Sequence, residues 1–391
     1  MKKLFGFFAL AAAGALALTS CGDSSNDDLK VGFIFLHDSS SSYDKNFMDA
    51  AKSVCDELGV ASVLKVNVPE GAECQEVAED LADQGCDIVF ADSFNHEAYL
   101  LEAAKKYPDV QFCHATGTMA HTANQPNLHN AFASIYEGRY CTGIAAGMKL
   151  NEMIEAGTIT SSEAVLGYVG AYTYAEVISG YTSFYLGAKS VCPDVTMKVK
   201  FTGSWYDLEG ENNVCNDLIQ AGCKVISQHA DSAGAPTACE DANVPNIFYN
   251  GENKNMNTYL VSSRINWAPY FKYIINQVKE GKEIATDWTG DLSTGSVEVY
   301  PCSALAANGT QAAIDAAIAK FKAGTLNVFD TANFTVNGEH LTSYKADVDT
   351  DADFTPDTEV IVNGIFQESV KRSAPYFDLR IDGITLLNDA Y

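Results

Sequence analysis

The chain is long and acidic, with 391 residues, 47% hydrophobic content, 51 acidic against 25 basic side chains and a formal net charge of −26. That length and apolar content can build two domains, each with its own core. A surface this negative repels nucleic acid and anionic lipid headgroups. Because the sequence also lacks clustered Lys or Arg and a glycine-rich phosphate loop, it argues against a phosphorylated ligand.

The N-terminus has the pattern of an export signal. Lys2 and Lys3 precede an apolar stretch over residues 4–18, which is too short to span a bilayer. Leu18-Thr19-Ser20-Cys21 follows and resembles a bacterial lipobox, in which cleavage leaves Cys21 as a lipidated N-terminus. We therefore expect a signal peptide at 1–20, a polar tether at 21–29, and a protein exported and lipid-anchored to the outer face of the cytoplasmic membrane. The alternative is an ordinary signal peptide with an incidental cysteine.

The chain contains an internal repeat. Residues 51–55, Ala-Lys-Ser-Val-Cys, recur letter for letter at 188–192, and the same offset of 137 residues carries Gly85-Cys86 onto Gly222-Cys223. Each Gly-Cys then opens an apolar run that ends in Ala-Asp-Ser, at 91–93 and at 230–232. A period this long indicates two lobes of one architecture rather than a solenoid. Two similar lobes predict a cleft between them.

Strands and helices alternate along both copies, which predicts parallel sheets covered by helices on both faces, in two Rossmann-like α/β lobes. We assign residues 30–132 and 262–292 to lobe 1, and 133–259 and 293–391, including a C-terminal extension, to lobe 2. The chain should cross between the lobes near 116–130, 250–259 and 286–295. The predicted strands are 30–36, 63–68, 87–91, 110–114, 165–169, 196–201, 224–227, 246–249 and 259–262, and the predicted helices are 46–58, 74–84, 96–107, 137–148, 175–190, 211–221, 267–279 and 311–321.

Ten cysteines remain beside Cys21, an even number that permits disulfides in an exported protein. The repeat pairs Cys55 with Cys192 and Cys86 with Cys223, and suggests bridges Cys55–Cys86 and Cys192–Cys223. The alternative is that these residues are small buried hydrophobes. No Cys/His spacing indicates a metal site.

Ligands of open parallel sheets bind beyond the carboxyl ends of the strands. Asp92 and Asp231 hold that position in the two lobes and could accept hydrogen bonds from a ligand. Alternatively, each Asp, or the adjacent Ser93 or Ser232, caps the helix that follows. Gly203-Ser204-Trp205-Tyr206-Asp207 reads as a turn that exposes a large ring, suited to a flat, uncharged molecule.

Eight motifs resemble the basic membrane lipoprotein family, the solute-binding lipoproteins of ABC transporters similar to PnrA-type purine-nucleoside receptors. They are the lipobox and the segments at 30–34, 91–94, 103–108, 135–140, 203–207, 228–232 and 266–270. The resemblance implies a type I periplasmic-binding-protein fold with a purine nucleoside or free purine base in the cleft. By motif, it also implies ligand contacts from Tyr43, Asn46, Phe47, Asp92, Ser93, Trp205, Asp231, Asn250, Asn266 and Trp267.

The function expected from these features is capture by closure of the lobes, followed by docking on an ABC permease. We expect a monomer that is not an enzyme and needs no cofactor or metal, because the sequence offers no nucleophile or metal motif. Its partners would be the purine compound, the permease subunits and the membrane through the lipid anchor alone. The alternatives are a binding protein or sensor for a sugar or amino acid, or a nucleoside-processing enzyme.

Overall fold

The computed structural model describes residues 29–348 and 355–390. The predicted signal peptide, Cys21 and the tether up to residue 28 lie outside the described residues. The strands are β1 (Lys30–Ile34), β2 (Ala61–Lys65), β3 (Ile88–Ala91), β4 (Gln111–Ala115), β5 (Leu128–Ala133), β6 (Val165–Gly170), β7 (Thr196–Phe201), β8 (Val225–His229), β9 (Asn246–Tyr249), β10 (Tyr259–Ile265), β11 (Asp287–Gly290), β12 (Val297–Val299), β13 (Lys345–Ala346), β14 (Thr358–Glu359), β15 (Ile361–Val362), β16 (Ile365–Phe366) and β17 (Ile384–Leu386). The α-helices are α1 (Ser42–Leu58), α2 (Ala72–Asp83), α3 (Glu97–Lys106), α4 (Tyr136–Glu155), α5 (Ala175–Lys189), α6 (Leu208–Gln220), α7 (Gly234–Ala242), α8 (Ala268–Lys279) and α9 (Thr310–Lys322).

Lobe 1 is a parallel sheet in the order β2-β1-β3-β4-β5-β11. Its central strands are short apolar runs such as Ile88–Ala91, buried throughout because helices cover both faces. Alternate residues of β1 and β3 therefore enter two different apolar clusters, one on each face. The predicted parallel α/β architecture is confirmed.

Lobe 2 repeats this strand order and extends it at both edges. Its sheet runs β12-β10-β9-β8-β6-β7-β17, in which β12 is antiparallel to β10 and the other neighbours are parallel. The strands β7-β6-β8-β9-β10 correspond to β2-β1-β3-β4-β5 of lobe 1. In both lobes the carboxyl ends of the central strands therefore define the edge at which a ligand site is expected.

Two of the three predicted crossings are wrong. Residues 116–127 connect β4 to β5 inside lobe 1, and residues 250–258 connect β9 to β10 inside lobe 2. The chain instead crosses after β5 at 134–135, after β10 at 266–267, and between β11 and β12 at 291–296. The lobe boundary at residue 262 is wrong for the same reason, because β10 stays in the lobe 2 sheet until Ile265.

The first two helices of lobe 2 pack with their backbones nearly touching. A Cβ added at Gly143 of α4 would lie 2.0 Å from the carbonyl oxygen of Phe184, and one added at Gly187 of α5 would lie 2.0 Å from that of Tyr140. Only glycine fits at such a distance, so these residues set the spacing between the helices. Among the helices of the described segments, none is long and apolar enough to cross a membrane.

The C-terminal extension contacts both lobes, whereas the sequence led us to assign it to lobe 2 alone. Its last strand, β17, adds to the edge of the lobe 2 sheet beside β7, and Glu368 accepts a hydrogen bond from Ser179 of α5. In lobe 1, the Asp287 carboxylate of β11 accepts hydrogen bonds from the Ser373 amide at 2.8 Å and from its hydroxyl at 2.7 Å. The extension thus connects lobe 2 to the outer strand of lobe 1.

The proposed disulfides are not formed, since all ten cysteines of the described residues are free thiols. Cys55 belongs to the apolar cluster on one face of the lobe 1 sheet and Cys86 to the cluster on the other face. Cys192 and Cys223 are separated in the same way in lobe 2. All four side chains are buried, as the alternative of small buried hydrophobes predicts.

Candidate functional site

A cavity lies between the two lobes, at the carboxyl ends of their strands. Lobe 1 supplies the residues that follow β1, β3 and β4, and lobe 2 supplies the ends of β8 and β9, the connection after β7 and the first turn of α5. The space open to the centre of a water-sized sphere is about 20 Å³ in this closed form, and the void together with its open mouth amounts to about 410 Å³. The lining residues are Leu36, His37, Tyr43, Ser93, Phe94, Thr116, Glu176, Trp205, His229, Asp231 and Tyr249.

The lobes are closed over this cavity. The Ser42 amide donates a hydrogen bond to the Asp231 carbonyl across the cleft at 3.1 Å, and the Asn46 side-chain amide donates to the Asn250 carbonyl at 2.9 Å. The rings of Phe94 and Tyr174, also from opposite lobes, have centroids 5.5 Å apart. Residues at the start of α1 therefore connect directly to loops of lobe 2.

Trp205 forms part of the aromatic wall on the lobe 2 side. Its indole packs against the edge of Tyr172, with centroids 5.2 Å apart, and its carbonyl accepts a hydrogen bond from the Asp231 amide at 2.9 Å. The loop after β7 is thereby fixed to the loop after β8. The ring is held by neighbours yet still borders the cavity, which suits it to stack on a flat ligand.

The Asp231 carboxyl has no hydrogen-bond partner in the part of the chain that the structure describes, although its backbone is fixed on both sides. Burial raises the pKa of this carboxyl well above its usual range, and the nearby carboxylates of Asp44, Glu211 and Glu176 raise it further. The protonated form can both donate and accept a hydrogen bond. Asp231 is therefore positioned to bind a polar ligand atom inside the cavity.

Glu176 is the second carboxyl group of the cavity and belongs to a chain of polar side chains. Its Oε1 lies 3.3 Å from His229 Nε2, and His229 Nδ1 lies 3.3 Å from the Tyr168 hydroxyl. A Cβ on Gly180 would lie 2.6 Å from His229 Nδ1, so the absence of a side chain there makes room for the imidazole. Burial lowers the pKa of His229 below its usual range, which favours the neutral ring.

A buried arginine lies behind this group. The Arg139 guanidinium sits 3.5 Å from the centroid of the Tyr249 ring, whose other neighbours include His229, and donates a hydrogen bond to the Gln228 carbonyl at 2.6 Å. Its positive charge lowers the pKa of Asp231 in opposition to burial. Arg139 is fully buried and does not line the cavity, so it acts on a ligand only through the residues in front of it.

The structure divides the residues predicted from sequence into two groups. Tyr43, Ser93, Trp205 and Asp231 line the cavity. The others do not line it, and they are Asn46, Phe47, Asp92, Asn250, Asn266 and Trp267.

Phe47 and Trp267 stack on each other in the core with centroids 4.3 Å apart, and neither is more than 1% exposed, so their prediction as ligand contacts is wrong. Asp92 is buried and does not line the cavity, and its carboxyl group accepts a hydrogen bond from the Leu36 amide at 3.1 Å. Burial and then the Asp44 carboxylate raise the pKa of Asp92 well above its usual range.

The three asparagines predicted as ligand contacts instead make hydrogen bonds within the protein, between the lobes or near the segments that cross between them. Asn46 makes the contact between lobes described above, to the carbonyl of Asn250. Asn250 has a left-handed backbone (φ 56°), which Asn tolerates better than most residues, and its side chain accepts from the Ile265 amide at 3.3 Å. Asn266 lies in a crossing between lobes and donates a hydrogen bond to the Gly295 carbonyl at 3.1 Å in another crossing.

Sequence reasoning missed several lining residues, including His37, Thr116, Glu176, His229 and Tyr249. His229 and Tyr249 end β8 and β9, so the strand-end rule that found Asp231 could have found them too. No group of three or more His, Cys, Asp or Glu side chains among the described residues could hold a metal ion.

Two doubly wound lobes, joined by three crossings and closed over a cavity at their strand ends, define a solute-binding protein of the periplasmic-binding-protein type. An ABC transporter solute-binding protein from Aeropyrum pernix has this fold, with a TM-score of 0.66 and 15% identity over 80% of this chain and 94% of that one. The profile of the Bmp family, described as ABC transporter substrate-binding protein PnrA-like, matches residues 32–324. The chain belongs to this family.

Two relatives bear names that specify a ligand. A purine-binding protein of Brucella abortus is 31% identical over 313 residues, which cover 78% of this chain and 83% of the relative. A putative ABC transporter glucose-binding protein of Haloferax volcanii is 32% identical over 231 residues, or 57% of this chain and 54% of the relative. The family resemblance found in the sequence is confirmed, and the extension beyond residue 324 lies outside the family match.

Proposed function

We propose that this protein captures a purine base or purine nucleoside in the cavity between its lobes and delivers it unchanged to an ABC permease. The observation that carries the proposal is the pairing of an aromatic wall at Trp205 with the Asp231 carboxyl, which has no protein partner among the described residues. Stacking holds a flat heterocycle, and the carboxyl orients it. The purine-binding relative supports the same ligand class.

The place of action follows from the N-terminus and the family. An exported receptor held by lipid on Cys21 would present its cleft outside the cytoplasmic membrane, next to the permease. Anchoring by more than one acyl chain would be stable, because each buried methylene contributes about 0.8 kcal/mol. The closed form is the form expected to dock on the permease.

Isothermal titration calorimetry with purine bases, purine nucleosides, glucose and amino acids tests the ligand class. Trp205→Ala should weaken purine binding by about 5- to 150-fold, since stacking on one ring contributes about 1–3 kcal/mol. Trp205→Phe keeps a ring and is the matched control, so it should lose much less. Unchanged affinity in Trp205→Ala would remove the stacking role.

The same panel separates the alternatives. Binding of glucose without binding of any purine would replace the proposed ligand by a sugar, the ligand named for the Haloferax relative. Release of free base from a nucleoside incubated with the protein would instead indicate an enzyme.

A further inference from the structure

Three of the four hydroxyl groups that line the cavity already donate a hydrogen bond within the protein. The Tyr43 hydroxyl donates to the Asp92 carbonyl at 2.9 Å, the Ser93 hydroxyl to a Glu70 carboxylate oxygen at 2.5 Å, and the Thr116 hydroxyl to the Ala115 carbonyl at 2.6 Å. Each hydroxyl keeps only lone pairs for a ligand. This part of the lining offers acceptors and favours a ligand that brings N–H donors, whereas the Tyr249 hydroxyl and the protonated Asp231 carboxyl can still donate.

Glu176 is the acceptor whose orientation is best fixed. Because a carboxylate has no hydrogen to give, the His229 nitrogen that faces it must carry the proton, and His229 Nδ1 then accepts from the Tyr168 hydroxyl. This directed chain uses one lone pair of Oε1 and leaves the other carboxylate oxygen available. The Glu176 side chain is 14% exposed and lines the cavity, so a ligand can reach it.

Purines differ at the edge that such a carboxylate can bind. A 6-oxopurine carries a hydrogen on N1, and guanine adds a 2-amino group beside it, so that both N–H groups can donate to one carboxylate in a paired arrangement. Adenine has a lone pair at N1, which a carboxylate repels. The binding free energy should differ strongly between a base whose polar edge matches Glu176 and one whose edge does not. The unmatched base loses its hydrogen bonds to water and gains none from the protein.

We infer that Glu176 determines the base specificity of the cavity and selects 6-oxopurines, guanine above all, over adenine. The inference rests on the proposed function and deepens it by naming the ligand subclass and the residue that recognises it. His229 and Tyr168 are positioning residues, since they act on the ligand through Glu176.

The test is calorimetry with guanine, hypoxanthine and adenine, each also as its nucleoside, on the wild type and on Glu176→Gln. The wild type should bind guanine and hypoxanthine at least tenfold more tightly than adenine. A glutamine amide can donate to adenine N1 and accept from its amino group. Glu176→Gln should therefore weaken guanine binding and strengthen adenine binding, which reduces the preference at least tenfold. Glu209→Gln, which changes an exposed carboxylate of the same lobe, is the matched control and should leave the preference unchanged.

The outcomes separate this inference from the proposed function. If no purine binds, the proposed function fails. If purines bind but the wild type holds adenine as tightly as guanine, the neutral Asp231 carboxyl reads the base instead, and the inference about Glu176 is overturned. An equal loss of affinity for all purines in Glu176→Gln would show a merely structural role and would also overturn it.

Discussion

The sharpest prediction of the structure concerns a buried carboxyl in the C-terminal extension. Glu368 is 5% exposed at the junction between the extension and α5, where it accepts a hydrogen bond from the Ser179 hydroxyl. Burial raises the pKa of Glu368 to about 7, in spite of the opposing effect of that hydrogen bond. The folded protein therefore keeps this proton over a pH range in which the unfolded chain releases it.

The sign and size of the effect follow from linkage. Below pH 4.5, the ordinary pKa of the group, the carboxyl is protonated in both states, and above about pH 7 it is ionised in both. Between these values only the unfolded state loses the proton, so the free energy of unfolding falls as the pH rises. At about 1.4 kcal/mol per pH unit, the loss amounts to about 3 kcal/mol. Glu368→Gln is neutral throughout, so it should match the wild type near pH 4.5 and exceed its stability by up to about 3 kcal/mol at pH 8.

Urea unfolding followed by tryptophan fluorescence between pH 4.5 and pH 8 measures this difference. Burial also raises the pKa of the half-buried Glu137 and the buried Glu211 to about 7. Glu211 contributes equally to the variant, whereas the pKa of Glu137 is raised in part by the Glu368 charge and should fall slightly in Glu368→Gln. Glu339→Gln changes an exposed carboxylate of the extension and should keep the wild-type pH profile. If Glu368→Gln loses stability with rising pH as steeply as the wild type, Glu368 is not protonated in the folded state and the reasoning fails.

Two further predictions concern packing. Asp287→Ala leaves the buried Ser373 amide without its acceptor and should lower the free energy of unfolding by about 1–3 kcal/mol. Ser373→Ala loses only the hydroxyl hydrogen bond, so it should lower the free energy of unfolding less in the same urea assay. A larger loss in Ser373→Ala than in Asp287→Ala would contradict this explanation. Gly187→Ala places a methyl group against the Tyr140 carbonyl of α4 and should destabilise the protein by about 1–3 kcal/mol or more, whereas an unchanged thermal midpoint would show that α4 and α5 can move apart freely.

The two-lobed fold could be predicted because the repeat lies at equivalent places in both copies. Residues 51–55 lie in α1 and residues 188–192 end α5, and each of these helices follows the first strand of its lobe. The crossings could not be placed in the same way. His129 and Asn130 are buried in β5, and such polar residues interrupt the apolar run by which a strand is recognised. Similarly, the sequence of β10 does not reveal which sheet it joins.

The site was predictable only where the strand-end rule applied. That rule placed Asp231 in the cavity, and the exposed turn at 203–207 placed Trp205 there. Glu176 gave no such signal, because an acidic residue in the first turn of a helix is ordinarily explained by the helix dipole. Phe47 and Trp267 were expected at the site from the family resemblance, but their rings stack on each other in the core.

In the proposed function, closure of the lobes and ligand binding both involve Asp231. The Asp231 carbonyl accepts the Ser42 amide of the opposite lobe, while the carboxyl of the same residue lines the cavity and its amide binds the Trp205 carbonyl. A ligand that engages this carboxyl and stacks on Trp205 restrains the loop in the position that Ser42 recognises. A ligand can shift the equilibrium between open and closed lobes only by binding one of the two forms more tightly. We expect it to prefer the closed form, because that form brings the lobe 1 residues Tyr43 and Ser93 to the cavity that also contains Asp231. Ligands that reach Asp231 without filling the space up to lobe 1 should therefore bind weakly and leave the lobes open.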